Sequence, residues 1–162
     1  MIIKRKLFSE RTVTLYHAAR NENVQSILRS GLKASMAAGK DSSSSRTGLP
    51  MEVLKNKIYL SRSLENFEGM NFNKRTILKI EVPENVFKTW KDVGDPIRSY
   101  FRNKYEWAKH WINWTKRNRP DAYKKYGKNK LYEMALIAWD NVDPKRIMVI
   151  EKDIPAKYIS VL

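Results

Sequence analysis

The sequence predicts a mixed α+β fold, because strand-like and helix-like segments both occur along its whole length. Short runs rich in β-branched and aromatic residues predict strands at 12–17, 57–60, 76–82, 131–138, 146–151 and 158–161. Apolar residues at helical spacing predict helices at 23–29, 64–69 and 96–117. Few of these strands neighbour one another in a hairpin pattern, and the sequence contains no internal repeat.

Length and composition predict one domain, 1–162. A chain of 162 residues suits a single core. It has no cysteine and two histidines, which excludes a disulfide framework, a thiolate metal site and a cysteine nucleophile, so we expect no metal. No apolar run approaches the ~20 residues that span a bilayer, and the N-terminus lacks the features of a signal peptide. We expect a cytoplasmic protein with no membrane partner.

The first strand ends in a Tyr-His pair and is followed by a well-specified helix. His17 closes the strand, and Asn21 is a plausible N-cap for the helix that follows. Gly31 stands where a helix often ends on a left-handed residue. Two further strand-like blocks each carry one reactive side chain, Tyr59 in Ile-Tyr-Leu-Ser and Glu133 in Leu-Tyr-Glu-Met-Ala-Leu-Ile.

These blocks resemble the ADP-ribosyltransferases of the diphtheria-toxin and poly(ADP-ribose) polymerase type. That family pairs a Tyr-His strand end with an Asn-x-x-Ser-Ile-Leu-x-x-Gly-Leu helix, and it carries a His, Tyr, Glu triad in the order found here. The resemblance covers most of the chain. It implies a split, mostly antiparallel β core with flanking helices, and NAD as a substrate.

The resemblance implies a role for each matching residue. His17 would hydrogen-bond the nicotinamide ribose, Ala18 would offer its backbone to the carboxamide, and Tyr59 would stack on the nicotinamide ring. Glu133 would bind the ribose 2'-hydroxyl and stabilise the positive centre formed as nicotinamide departs. Ser61, two residues beyond the tyrosine, is counted among the cofactor-binding residues.

Each of these residues also has a purely structural interpretation. His17 then satisfies a strand end, Tyr59 belongs to the core, and Glu133 is a solvated surface group. The chain has Ala18 and Ala19 where the family usually has Gly followed by Ser or Thr.

A serine-rich segment joins the first two blocks. Residues 34–56 are predicted to form a mobile loop that would hang over the proposed cleft. The DNA-targeting toxin branch of the family uses a loop arginine near NAD, which makes Arg46 a candidate for the pyrophosphate; Arg62 is a weaker one.

The formal net charge of +15 is concentrated in one segment. Residues 98–130 carry eleven basic and two acidic residues, and 96–130 are predicted to form a basic, aromatic helical insertion. Such a charge attracts polyanions. The predicted nucleic-acid-binding residues are Arg102, Lys109, Lys116, Arg117, Arg119, Lys124, Lys125 and Lys128.

Three tryptophans of this segment recur at helical spacing. Trp107, Trp111 and Trp114 lie on one helix face, where they either anchor a core or stack on unpaired bases. On either interpretation we expect the charges to face a nucleic acid.

The sequence therefore predicts an NAD-dependent mono-ADP-ribosyltransferase that is toxin-like and acts on nucleic acid or on a protein bound to it. The alternative is a non-catalytic nucleic-acid-binding module on the same fold. A related NAD-using RNA 2'-phosphotransferase needs paired arginines and histidines, and His110 is the only other histidine.

Overall fold

The computed structural model describes residues 11–36 and 49–162, which form an α+β fold around one antiparallel sheet. The sheet has the order β4-β2-β1-β3-β5, and each neighbouring pair is antiparallel. Its strands are β1 (Thr12–Arg20), β2 (Ile58–Ser61), β3 (Arg75–Pro83), β4 (Ile147–Ile150) and β5 (Ile159–Val161).

One face of the sheet carries an aliphatic core, which we call the sheet core. Strand register explains its membership, because partners in an antiparallel pair share a face and alternate residues of each strand point the same way. Leu15 pairs with Ile80, and Leu60 with Met148; all four are buried. Val24 of the first helix packs against this face.

Six α-helices complete the described part of the chain. They are α1 (Val24–Ser30), α2 (Met51–Leu54), α3 (Glu84–Phe87), α4 (Pro96–Tyr100), α5 (Lys104–Asn118) and α6 (Pro120–Asn141). Single 3-10 turns occur at Asn21–Asn23, Ala34–Met36, Leu64–Phe67 and Ala156–Tyr158. A second core, the hairpin core, lies mainly between α4, α5 and α6 and contains Ile97, Trp107, Ala108 and Ala135.

Gly31 ends α1 as the sequence predicts. Its φ of 83° lies in the region that glycine favours, and its N–H donates to the Ile27 carbonyl at 2.8 Å. A Cβ at this position would also collide with the Ile154 carbonyl oxygen. The residue is therefore required both by the turn and by the close approach of the chain at Ile154.

The predicted strand at 131–138 is wrong, because this run lies inside α6. Leu131 and Ala135 are four residues apart and both are buried, and Ala135 belongs to the hairpin core. A continuous apolar run fits a buried strand or a buried helix equally well by pattern alone, and here packing against α5 selects the helix. Glu133 is therefore a helix residue and does not end a strand.

The predicted helix at 96–117 is two helices. Residues 101–103 separate α4 from α5, and the Asn103 side chain caps α5 by accepting from the N–H groups of Tyr105 and Glu106. Pro120 is the first residue of α6, where its missing N–H costs nothing. Gly127, with φ 75°, kinks α6.

The other five strands lie where the sequence predicts them, with ends shifted by no more than three residues. Residues 64–67 form a 3-10 turn in the segment predicted as a helix at 64–69. Among the described helices, none is both long and apolar enough to cross a membrane.

Candidate functional site

His17 and Tyr59 meet where β1 and β2 separate. Among the described residues, β1 and β2 pair at Tyr16 and Ser61 alone. The imidazole Nδ1 of His17 lies 2.9 Å from the Tyr59 carbonyl oxygen. Because a carbonyl only accepts, Nδ1 carries the proton and Nε2 presents a lone pair. Burial lowers the pKa of His17, which keeps the ring neutral near pH 7.

A cleft of about 190 Å³ opens on the other face of the sheet. Its floor comes from β2 and β4, its side from the Leu64–Phe67 turn, and its end from the last residue of α6. The lining residues are Tyr59, Leu60, Ser61, Asn66, Phe67, Asn141 and Ile147. Two predicted site residues, Tyr59 and Ser61, therefore share this cleft.

His17 is not among those lining residues. It occupies the same face of β1 as Leu15 and Ala19, both in the sheet core, and it pairs with Leu78 of that core. Its ring reaches the main chain of Tyr59 from that side. The structure thus joins His17 to the backbone of Tyr59 but leaves the two side chains on different faces of the sheet.

The Ser61 hydroxyl is fully occupied by local bonds. It donates to the Ser63 carbonyl at 2.5 Å, accepts from the Ser63 N–H at 3.2 Å, and accepts from Asn66 Nδ2 at 2.6 Å. Ser61 therefore holds the turn that forms the cleft wall, and its hydroxyl has little capacity left for a ligand.

Asp95 is a buried carboxyl group beside the cleft that the sequence analysis did not select. It is 5 % exposed, and Oδ1 accepts from the Ile97 N–H at 2.8 Å as the N-cap of α4. Burial raises its pKa to about 6, although the Ile97 N–H and the Arg98 guanidinium oppose the shift. Burial, and next the charge of Asp95, raise the pKa of Tyr59, so the tyrosine stays protonated.

Glu133 lies in a different environment from His17 and Tyr59. Its side chain is 66 % exposed on α6 and forms an ion pair of 3.5 Å with Lys130, three residues earlier. Among the residues that the structure describes, no hydrogen bond or ion pair connects Glu133 to His17 or Tyr59.

The three remaining cofactor-binding candidates, Ala18, Arg46 and Arg62, give less to test. Ala18 lies in β1 opposite Ile77 of β3. Arg46 lies outside the described residues. Arg62 is committed to neighbours, since Nε donates to the Pro144 carbonyl at 3.0 Å and Nη2 lies 3.5 Å from Asp92.

A second candidate surface is the basic hairpin, which we define as residues 102–130 in α5 and the first part of α6. All eight predicted nucleic-acid-binding residues are exposed there. None of the eight forms an ion pair with another described residue. The segment therefore presents positive charge that the protein itself does not neutralise.

Two of the three tryptophans of the hairpin face inward, and two of its tyrosines face outward. Trp107 is 2 % exposed and donates from Nε1 to the Ala135 carbonyl at 3.0 Å, and Trp111 packs against the same core. The core interpretation is thus confirmed for these two. Tyr105 and Tyr126 are exposed, and each has a lysine nitrogen between 5.2 and 5.4 Å from its ring centre.

Sequence reasoning missed Asp95 and five lining residues of the cleft, Leu60, Asn66, Phe67, Asn141 and Ile147. Asp95 had a local signal, because Asp-Pro before a helical run is typical of an N-cap with proline at the first helical position. Asn66 and Phe67 follow Ser61 closely in the chain, whereas Asn141 and Ile147 come from distant segments, and nothing local marks any of them as a site residue. Within the described residues, no group of three or more His, Cys, Asp or Glu is placed to hold a metal.

No protein-family model, curated protein or solved structure matches this chain.

Proposed function

We propose that this chain binds nucleic acid through the basic hairpin. The observation that carries the proposal is the exposure of eight lysines and arginines in one segment without an ion pair among the described residues. Each phosphate contacted by such a cation releases a condensed counterion. Binding should therefore weaken steeply as salt is added.

The inward-facing tryptophans support this assignment, because they give the charged surface a rigid base. Trp107 and Trp111 stack at 6.3 Å between ring centroids, inside the hairpin. The side chains left outside are cations and tyrosines. A backbone held in this way loses less conformational freedom on binding than a mobile basic tail would.

The test compares two triple variants that lose the same charge. One replaces Arg117, Lys124 and Lys128 with Gln; the matched control replaces Lys88, Lys91 and Lys152, which are also exposed. We expect the hairpin variant to lower the slope of log affinity against log salt by about 2 to 3 for a labelled oligonucleotide. The control should lower it by less than 1. Equal effects would show that only net charge matters and would contradict the hairpin assignment.

NAD-dependent ADP-ribosyl transfer to nucleic acid is a second candidate, favoured by one observation. His17 is fixed through Nδ1 at the Tyr59 carbonyl, which leaves Nε2 as an acceptor suited to a ribose hydroxyl. In the reaction the bond between ribose C1' and the nicotinamide nitrogen breaks, and nicotinamide leaves with the electron pair. The acceptor then bonds to C1' and loses its proton.

A developing positive charge at C1' calls for a carboxylate, and Glu133 remains the candidate implied by the family resemblance. Its exposed position on α6 requires that it reach the ribose from the helix surface. Asp95 is the carboxyl group whose charge raises the pKa of Tyr59, but it is buried and its Oδ1 caps α4.

Transfer from labelled NAD separates the two candidates. The protein, Glu133→Gln and His17→Ala would each be incubated with labelled NAD and with RNA, single-stranded DNA or duplex DNA. Label on one acceptor that needs both residues would establish the transferase. Nucleic-acid binding with neither label nor nicotinamide release would leave the binding function alone.

A further inference from the structure

We propose that the cleft beside the Leu64–Phe67 turn receives one unpaired base of a nucleic acid strand held by the basic hairpin. The inference rests on the proposed binding function and extends it from phosphate contact to base contact.

The size of the cleft fits one ring system. Pockets for drug-sized ligands occupy about 300–1,000 Å³. The cleft measures about 190 Å³, so a whole dinucleotide would extend beyond it and a single base would fill much of it. Tyr59 and Phe67 supply aromatic surface for stacking, and Ile147 supplies aliphatic surface.

Two asparagines give the cleft an acceptor and a donor. Asn66 donates from Nδ2 to the Ser61 hydroxyl and to the Arg146 carbonyl, at 2.6 and 3.0 Å. Its Oδ1 accepts no hydrogen bond from the described residues. Asn141 accepts through Oδ1 from Arg146 Nη1 at 3.0 Å, and its Nδ2 makes no bond within that same part of the chain. Such an amide pair suits the edge of a base, which carries donors and acceptors side by side.

Two cations next to the cleft can contact a phosphate. Arg146 is exposed and touches Asn141, and Lys145 beside it is exposed without an ion pair among the described residues. Acidic residues are near as well: the Asp143 carboxylate lies 3.6 Å from Arg98, and Glu65, Glu68 and Asp140 are exposed in or beside the segments that line the cleft. We therefore expect the phosphate contact on the side of Lys145 and Arg146.

Helix α6 connects the two surfaces. Lys128 belongs to the basic hairpin and Asn141 lines the cleft, and both lie on α6. Thirteen residues of helix span about 20 Å, a distance that a few nucleotides of single strand cover. A duplex keeps its bases stacked and paired, so only a single strand or a flipped base enters the cleft.

The experiment uses a single-stranded oligonucleotide with 2-aminopurine at one position, and a duplex of the same sequence. Stacking quenches the fluorescence of 2-aminopurine, and anisotropy reports total binding. Phe67→Ala removes one wall of the cleft. Phe72→Ala is the matched control, because Phe72 is 59 % exposed and does not line the cleft. Asn141→Leu removes the donor, and circular dichroism checks that each variant is folded.

We expect Phe67→Ala to weaken single-strand binding about tenfold and to abolish the quenching, with duplex affinity unchanged. Asn141→Leu should weaken it less, and Phe72→Ala not at all. Equal effects of Phe67→Ala and Phe72→Ala, or an equal loss for duplex, would overturn the base site while the hairpin function stands. The base site would also be overturned if NAD or nicotinamide reversed the quenching of 2-aminopurine and unlabelled single strand did not. Absence of any salt-dependent binding would instead defeat the hairpin function and the base site together.

Discussion

The sheet core and the hairpin core both exclude water, but they are built from different kinds of side chain. The sheet core is aliphatic and places Leu15, Ile80 and Ile159 in register across three strands. The hairpin core is built around Trp107, whose ring is buried between α5 and α6 and anchored by a hydrogen bond to Ala135. The sheet core lies on strands joined by backbone hydrogen bonds, whereas the hairpin core depends on a few large side chains.

Their charges differ as well. Several lysines on the sheet side have acidic partners, as in the 3.1 Å pair of Lys57 with Glu151 and the 2.8 Å pair of Lys79 with Glu81, although Lys88, Lys91 and Lys152 have none among the described residues. In the hairpin Lys130 pairs with Glu133, but the eight predicted nucleic-acid-binding lysines and arginines have no acidic partner among the described residues. We infer that the sheet is organised for stability, whereas the hairpin carries an excess of positive charge that a bound polyanion would neutralise.

The largest expected effect comes from Trp107→Ala. Loss of the ring and of its hydrogen bond should cost about 3–5 kcal/mol of unfolding free energy. Leu78→Ala, in the sheet core, should cost about 2–5 kcal/mol. Hydrogen exchange should show lost protection in α5 and α6 for the first variant, with β1 and β3 still protected. Equal loss of protection in the sheet would contradict the separation of the two cores.

Asp95→Asn tests the junction between the regions, because Asp95 caps α4 and lies near Tyr59 of β2. The folded-state pKa of about 6 exceeds the ordinary value of 3.8, so the unfolded chain loses this proton first as pH rises. Stability of the native protein should fall from pH 4 to pH 6 by roughly 3 kcal/mol through this group and then level off. Asparagine keeps the cap without the charge.

The measurement is urea unfolding of both proteins at several pH values between 4 and 7. His17, whose pKa is lowered, adds a slope of opposite sign as its unfolded form takes up a proton below about pH 6.5. That slope is common to both proteins, so it cancels in their difference. A difference that does not change with pH would show that Asp95 is not held in a protonation-sensitive site.

The smallest expected effect is that of Thr115→Val, beside the hairpin core. Thr115 is buried, and its hydroxyl has no hydrogen-bond partner among the described residues. Removing it should stabilise the protein by about 1 kcal/mol, which thermal unfolding would detect. Thr89→Val is the control, since that hydroxyl donates to the Val86 carbonyl at 2.6 Å. A loss of stability for Thr115→Val would mean that the hydroxyl is satisfied.

Much of the sheet was predictable from sequence because strand identity is a local property. The alternation in β1 and β3 places Leu15 and Ile80 on one face, and Gly31 is specified by the left-handed end of α1. The surface position of the eight cations was also predictable, since a charged side chain without a partner stays in water.

The candidate site was less predictable. The structure brings the His17 ring to the main-chain carbonyl of Tyr59, but it leaves the two side chains on different faces of the sheet. Asn66 and Asn141 carry no local signal, because they become neighbours of Tyr59 only when the 3-10 turn, β2 and the end of α6 meet.

The sequence by itself determined the strands of the sheet, the end of α1 and the position of the basic surface, because each follows from local periodicity, backbone conformation or the cost of burying a charge. Only the tertiary structure decided the conformation of 131–138 and the place of Glu133. The physical reason is that an apolar run satisfies its hydrogen bonds equally well as strand or helix, and the partner surface of α5, with Trp107 against Ala135, favours the helix.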